Sequence, residues 1–196
     1  MKTARCHLKS VSPLQFSRYY GVDEAPKKEK ESPDDYERRT WRHRAHYDKD
    51  GKVFIPPMMF KKSLEEAAKF LSLKIPGKGQ ATWTKHFLAG TLVVDPLYVG
   101  ITKDELEPLT LFVPADGVRG SGKRVSKIFP ILPQWEGKID YLILDDTITE
   151  KAFLQHIAEA GKLIGIGAFR PRSGGYFGRY KVEKCEWIEG AEVGAA

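Results

Sequence analysis

The stretch KVFIPPMMFKKSLEEAAKFL, residues 52–71, changes its hydrophobic period part-way along. Lys52-Val53-Phe54-Ile55 reads as a strand closed by Pro56, and the turn signal Asp48-Lys49-Asp50-Gly51 leads into it. From Pro57 onward, Phe60, Leu64, Ala67 and Leu71 recur at the spacing of one helical face, with Lys61, Lys62, Glu65 and Glu66 between them. Proline suits a first helical position because the N–H it lacks would have no intrahelical partner there. The pattern predicts a helix over 57–72 directly after a strand.

Upstream of this junction, residues 2–11 alternate loosely as a first strand, whereas the segment that follows loses apolar periodicity and reads as a charge-dense flexible loop through Pro33-Asp34-Asp35. A short helix or strand is expected over 36–46. Downstream, Ile75-Pro76-Gly77-Lys78-Gly79 breaks the helix, and 91–99, 109–113, 125–132 and 138–144 read as strands between Gly, Pro and charged turns. Thr147-Ile148-Thr149-Glu150 has capping-box spacing, and Phe153, Ile157 and Ala160 give a second helix over 148–160 its apolar face. Residues 180–188, YKVEKCEWI, alternate as a closing strand. This order predicts an α+β, ferredoxin-like (RRM-like) βαββαβ core in one domain over 1–196, with an insertion at 12–52 and inserted hairpins in the middle. Two helices would cover one sheet face and leave the other for a ligand or partner. Enzymes, metal carriers and RNA-recognition modules share that scaffold, so it decides no function.

At 196 residues and 41% hydrophobic, the chain can bury a core without stapling. It has no run near the roughly 20 apolar residues of a bilayer span and no apolar stretch behind its basic N-terminus, so a cytoplasmic location is expected. Cys6 and Cys185 lie at opposite ends with no CxxC or Cys/His ligand spacing. They read as ordinary buried thiols, and no cofactor or metal is expected. Asp145-Asp146 directly precedes the second helix and reads as capping carboxylates.

Thirty-two Lys and Arg against 26 Asp and Glu give a net charge of +6, which favours a polyanionic partner without naming it. Distribution says more. Residues 115–127, ADGVRGSGKRVSK, carry Arg119, Lys123, Arg124 and Lys127 against Asp116 alone, and 165–181 carry Arg170, Arg172, Arg179 and Lys181 with no acid. In LIGIGAFRPRSGGYFGRY, residues 163–180, glycines such as Gly174 and Gly175 let the backbone approach a ligand. The arginines can fork onto phosphate oxygens, and Tyr176 and Phe177 offer faces to bases. A dinucleotide fingerprint is disfavoured because a proline and a strand follow the GxG, where a helix is needed. A glycine hairpin with merely solvated arginines is the bland alternative. Trp187 reads as core, and Trp41, between Thr40 and Arg42, as a stacking candidate.

Phe54-Ile55-Pro56-Pro57-Met58-Met59-Phe60-Lys61-Lys62-Ser63-Leu64 resembles the helix start of the RAMP superfamily, and Gly165 through Tyr180 resembles that superfamily's C-terminal glycine-rich loop. The resemblance is closest to the crRNA-coating backbone subunits of CRISPR effector complexes, or to a compact phage-encoded relative. It implies phosphate contacts from Arg170, Arg172 and Arg179, with Tyr176 and Phe177 near bases. It also implies an inserted thumb or web at Arg119 to Lys127 and a second groove wall from Arg38, Arg39, Arg42 and Arg44. Some RAMP relatives cleave RNA. No catalytic residue is assigned here, but His43, His46 and Asp116 would be the candidates, with Arg42 and Arg44 depressing the imidazole pKa.

The expected function is a noncatalytic, sequence-tolerant binder of single-stranded RNA or DNA that assembles head to tail as a homo-oligomer. A metal-independent endoribonuclease is one alternative. The other is a protein-interaction factor that mimics or caps ribonucleoprotein subunits.

Overall fold

The computed structural model describes residues 1–115, 118, 120 and 122–190. Alternation along β1 (Lys2–Ser10) buries Ala4, Cys6 and Leu8 and turns Arg5 and Lys9 to the opposite face. A two-residue β2 (Leu14–Gln15) follows, then α1 (Pro33–Thr40) and a 3₁₀ turn over Trp41–Arg44. The charge-dense stretch expected to be loop through Asp35 therefore already starts a helix. Ser32 Oγ accepts the Asp35 N–H at 3.1 Å, and Pro33 fills a position that needs no donor. Asp34 and Asp35 in the first turn, with Arg38 and Arg39 in the last, complement the helix dipole.

After β3 (Lys52–Ile55), α2 (Pro57–Leu71) follows the sequence pattern and buries Phe60, Leu64, Ala67 and Ala68. A seven-residue α3 (Thr84–Gly90), which the sequence pattern did not indicate, is anchored by the fully buried Phe87. The strand expected over 91–99 is two, β4 (Thr91–Val93) and β5 (Leu97–Thr102). β6 (Glu107–Pro114) pairs along its whole length with Arg124 to Ile131 of β7 (Arg124–Leu132), forming a ribbon. β8 (Glu136–Ile143), α4 (Glu150–Glu159) and β9 (Tyr180–Glu189) complete the chain. The cap of α4 is Thr149, whose hydroxyl accepts the Ala152 N–H at 3.2 Å. Thr147 is held outside the helix because its N–H donates to Asp145 Oδ1 at 2.8 Å. No helix among the described residues is long and apolar enough to cross a membrane.

The main sheet has the order β4-β8-β1-β9, all neighbours antiparallel. Taken with α2 and α4, this places the first strand between the last and the third, which is the ferredoxin-like arrangement. β1 and β8 meet the two helices through Ala4, Leu8, Ile139, Tyr141 and Ile143 against Phe60, Leu64, Phe153 and Ile157. Full burial of each large apolar side chain there stabilises the fold by about 1.5–3 kcal/mol. The β6–β7 ribbon is inserted between β4 and β8 and pairs with β2 to make a three-stranded sheet, and β3 pairs with β5.

One expectation is overturned by this topology. Cys6 and Cys185 are 179 positions apart in sequence but directly opposed in the β1–β9 register, and they are joined as a disulfide. They are not ordinary buried thiols, because the fold makes the first and last strands neighbours.

Candidate nucleic-acid interface

The glycine-rich loop after α4 is tied down strand by strand. Ile166 N–H donates to Gly178 O at 3.0 Å, Phe177 N–H to Phe169 O at 3.1 Å, and Gly178 N–H to Pro13 O at 2.8 Å. Ala168 N–H reaches Gln15 O at 3.0 Å, and Ser12 Oγ donates to Tyr176 O at 3.0 Å. Gly175 has no room for a side chain, since a Cβ there would overlap the Phe169 carbonyl, whereas Gly174 faces open space. The sequence suggested glycines that let the backbone approach a ligand, which would leave their N–H groups free to meet it. Those of Gly174, Gly175 and Gly178 instead donate within the chain, so the glycines serve close backbone packing. The result is a rigid platform, on which Phe169 is held at φ 46° with its ring exposed.

This platform faces the end of the β6–β7 ribbon across an open cleft of about 770 Å³. The loop contributes Phe169, Gly175, Tyr176 and Phe177, the ribbon Phe112, Arg124, Lys127 and Phe129, and the insertion Ser17 and Arg44. Phe112 and Tyr176 are 71% and 61% exposed, values at which an aromatic ring has a free face for stacking. Phe169 meets Phe129 edge-on at 6.1 Å, and Tyr176 meets Phe177 at 5.5 Å. Neither Arg124 nor Lys127 has an ion-pair partner among the described residues. The cleft thus offers exposed rings beside unneutralised cations, the combination that stacks bases and holds phosphates.

The structure brings together some of the sequence-nominated residues and separates others. Gly175, Tyr176, Phe177, Arg124 and Arg44 share the cleft. Arg44, however, is tied by Glu37 through Nη1 at 2.7 Å and Nη2 at 3.0 Å, and it also donates to Ile128 O at 2.9 Å. It buttresses the ribbon instead of presenting a free charge. Of the three loop arginines, none lines this cleft: Arg170 Nη2 donates to Glu66 at 2.9 Å, Arg172 lies over the Phe70 ring at 5.5 Å, and Arg179 Nη1 donates to Tyr176 O at 3.1 Å. Lys123 is exposed just before β7, while Arg119 and Asp116 lie outside the described residues.

Trp41 is only 5% exposed, so it is a core residue and not a stacking platform. Arg42 covers its ring at 4.3 Å. Arg38 pairs with Asp35 and Arg39 with Glu31, which ties both insertion arginines to local carboxylates. The open face of the main sheet carries cross-strand ion pairs, Arg5 with Asp140 at 2.8 Å and Lys9 with Glu136 at 3.1 Å, so its charges are largely matched.

The two insertion histidines do not form one catalytic face. His43 Nδ1 is hydrogen-bonded to the Tyr47 hydroxyl at 2.7 Å, while the His46 ring lies between Phe16 and Phe54 at 6.1 and 6.0 Å. Both imidazoles are pushed down, as expected from the sequence, but from a different cause. Burial acts first on each, followed by Lys103 at His43 and Arg18 at His46, which is lowered to about 4. Sequence reasoning did not nominate Ser17, Phe112, Lys127 or Phe169 as site residues. Lys127 and Phe169 stood inside the two quoted basic stretches, whereas Phe112 reads as one more apolar strand residue.

No family model matches the chain, and no curated protein matches it. Among solved structures, the fold is similar to a chain in the cryo-EM structure of the Type III-B Cmr-beta bound to cognate target RNA. The TM-score is 0.53 at 13% identity, covering 97% of this chain and 61% of that one. The likeness is one of fold. This chain therefore spans 61% of the length of that neighbour. Cmr6 from Pyrococcus furiosus follows, with a TM-score of 0.45, 15% identity and 93% and 99% of the two chains covered. A chain of a CRISPR RNA-guided surveillance complex gives 0.39, 10%, 92% and 66%.

Proposed function

We propose that this protein binds single-stranded nucleic acid, RNA or DNA, in the cleft between the β6–β7 ribbon and the glycine-rich loop. The observation that carries the reading is the convergence of Arg124 and Lys127 with the exposed rings of Phe112, Phe169 and Tyr176 in one groove. Cations without carboxylate partners attract a sugar-phosphate backbone, and ring faces accept any base, so the binding is tolerant of sequence along most of the strand. Fold likeness to a chain of an assembly described as bound to target RNA supports the same reading. So does the resemblance of the helix start and the glycine-rich loop to RAMP subunits that coat crRNA. In this reading copies assemble head to tail along the strand, for which the outer edges of β6 and β9 have no strand partner among the described residues.

The test is a titration of single-stranded RNA, single-stranded DNA and duplex across salt concentrations. Single strands should bind more tightly than duplex, with affinity falling steeply as salt rises. Arg124→Ala or Lys127→Ala should each weaken binding and reduce the log–log salt slope by about 1. Equal affinity for all three nucleic acids, or none at low salt, rejects the proposal and leaves a protein-interaction role. Light scattering with oligonucleotides of increasing length tests assembly, since particle mass should then grow in steps of one protomer.

A further inference from the structure

Next to the main cleft lies a smaller one of about 230 Å³, lined by Ser17, His46, Met59, Gly167, Ala168 and Arg170. The two clefts share Ser17, and Phe169, which lines only the larger, stands in sequence between Ala168 and Arg170, which line only the smaller. Its left-handed backbone fixes that position, and the snug fit of Gly175 under its carbonyl holds it there. Strain kept in place by surrounding structure is a mark of functional positions.

The chemistry of the small cleft differs from that of the large one. Arg170 has its charge matched by Glu66, with Nη2 at 2.9 and 3.1 Å from the two carboxylate oxygens, while its buried Nε has no partner. The His46 ring nitrogens carry no hydrogen bond among the described residues. Burial keeps this imidazole neutral at pH 7, so it offers one donor and one acceptor. Met59 supplies an apolar wall and Ser17 a hydroxyl. A pocket without excess charge, with a few directed donors and acceptors beside an apolar wall, suits the edge of a flat heterocycle far better than a phosphate.

We infer that the cleft beside His46 takes a single nucleobase of the bound strand, read by His46 and the Glu66-held Arg170 and parted by Phe169 from the cleft that holds the backbone. This rests on the nucleic-acid reading above and adds to it one position of base preference in an otherwise tolerant site.

The experiment uses RNA decamers in which every second position is abasic and the others are all A, all C, all G or all U. Affinities are measured by fluorescence anisotropy. The wild-type protein should separate the best from the worst base by about fivefold or more, the scale of directed base-edge contacts. His46→Phe keeps a ring between Phe16 and Phe54 but removes the nitrogens, and it should bring the four affinities together. Ala168→Leu narrows the cleft without touching His46 and should have the same effect. Arg124→Ala should weaken all four strands alike. Thermal unfolding establishes that each variant is folded. A wild-type spread below fivefold, or a spread that survives in either cleft variant, overturns the inference while leaving the binding site standing. No binding of any of these strands, nor of the same four series made as DNA, overturns the proposed function itself, and the base pocket with it.

Discussion

Removing the Glu37 carboxylate should loosen the ribbon that forms one wall of the cleft. Glu37 Oε1 and Oε2 accept from Arg44 Nη1 and Nη2, and Oε1 also accepts the Ile128 N–H at 2.7 Å. The two side chains are 14% and 11% exposed, so water screens the pair little. In Glu37→Ala the Arg44 charge stays in place with only the Ile128 carbonyl and the rings of Tyr20 and Phe129 around it, and a backbone donor of β7 loses its acceptor. Breaking a fully buried pair costs about 3–5 kcal/mol, and an orphaned donor adds to that. Allowing for the remaining exposure, the loss should be about 3 kcal/mol. For a chain of this size that lowers the unfolding midpoint by about 6–12 °C. Urea denaturation of Glu37→Ala, Arg44→Ala and the double variant completes a cycle. The double variant should cost about 2 kcal/mol less than the sum of the singles. A coupling under about 0.5 kcal/mol, or a Glu37→Ala midpoint unchanged from wild type, refutes the view that this pair clamps the insertion to β7.

Three further outcomes are expected. Gly175→Ala should destabilise by at least about 2 kcal/mol because its methyl meets the Phe169 carbonyl, while Gly174→Ala, at φ 75° in open space, should cost only the left-handed strain of about 1–2 kcal/mol; thermal unfolding of both, with equal losses, would contradict the platform. Burial favours neutral imidazole at His43, His46 and His156 in the folded state, so the unfolded chain takes up protons first. The contribution of His46 is therefore full above about pH 6.5 and is lost as pH falls toward about 4; His46→Phe should flatten the fall of the urea midpoint across that interval, and an identical slope counts against it. Thiol titration of the unreduced protein should find no free cysteine, and reduction should lower the unfolding free energy by up to about 5 kcal/mol given the 179-residue separation, whereas free thiols in the native protein would refute the pairing.

The elements of the core were legible wherever burial imposes a period. α2 carries its apolar face at helical spacing, and β1, β8 and β9 alternate, so the strand and helix order yielded the ferredoxin-like arrangement. α3 escaped because seven residues provide too little periodicity, and its stability comes from Phe87 reaching the core. Thr147 was mistaken for a cap because Asp145, two residues earlier, takes its N–H in a way that spacing does not reveal. The site was half legible. Gly175, Tyr176, Phe177 and Arg124 line one cleft, and each lay in a glycine-rich basic stretch that composition singled out. Arg44 and Arg170 were misjudged because their carboxylates stand 7 and 104 positions away. Trp41 looked accessible among polar neighbours, yet the turn that follows α1 drives it inward. The cysteine pairing was readable in principle: once the fold is ferredoxin-like, its outer strand and first strand are adjacent.

That adjacency reaches beyond the cysteines. Lys2 pairs with Glu189, so the two ends of the described chain meet on neighbouring strands. A short peptide joining them would turn this stretch of chain into a ring that can be cut open elsewhere, and the Cys6–Cys185 crosslink would then span a small hairpin instead of 179 positions. In such a rearranged molecule the bond would close little chain entropy, so comparing its sensitivity to reductant with that of the natural order would separate what the covalent tie contributes from what strand pairing already secures.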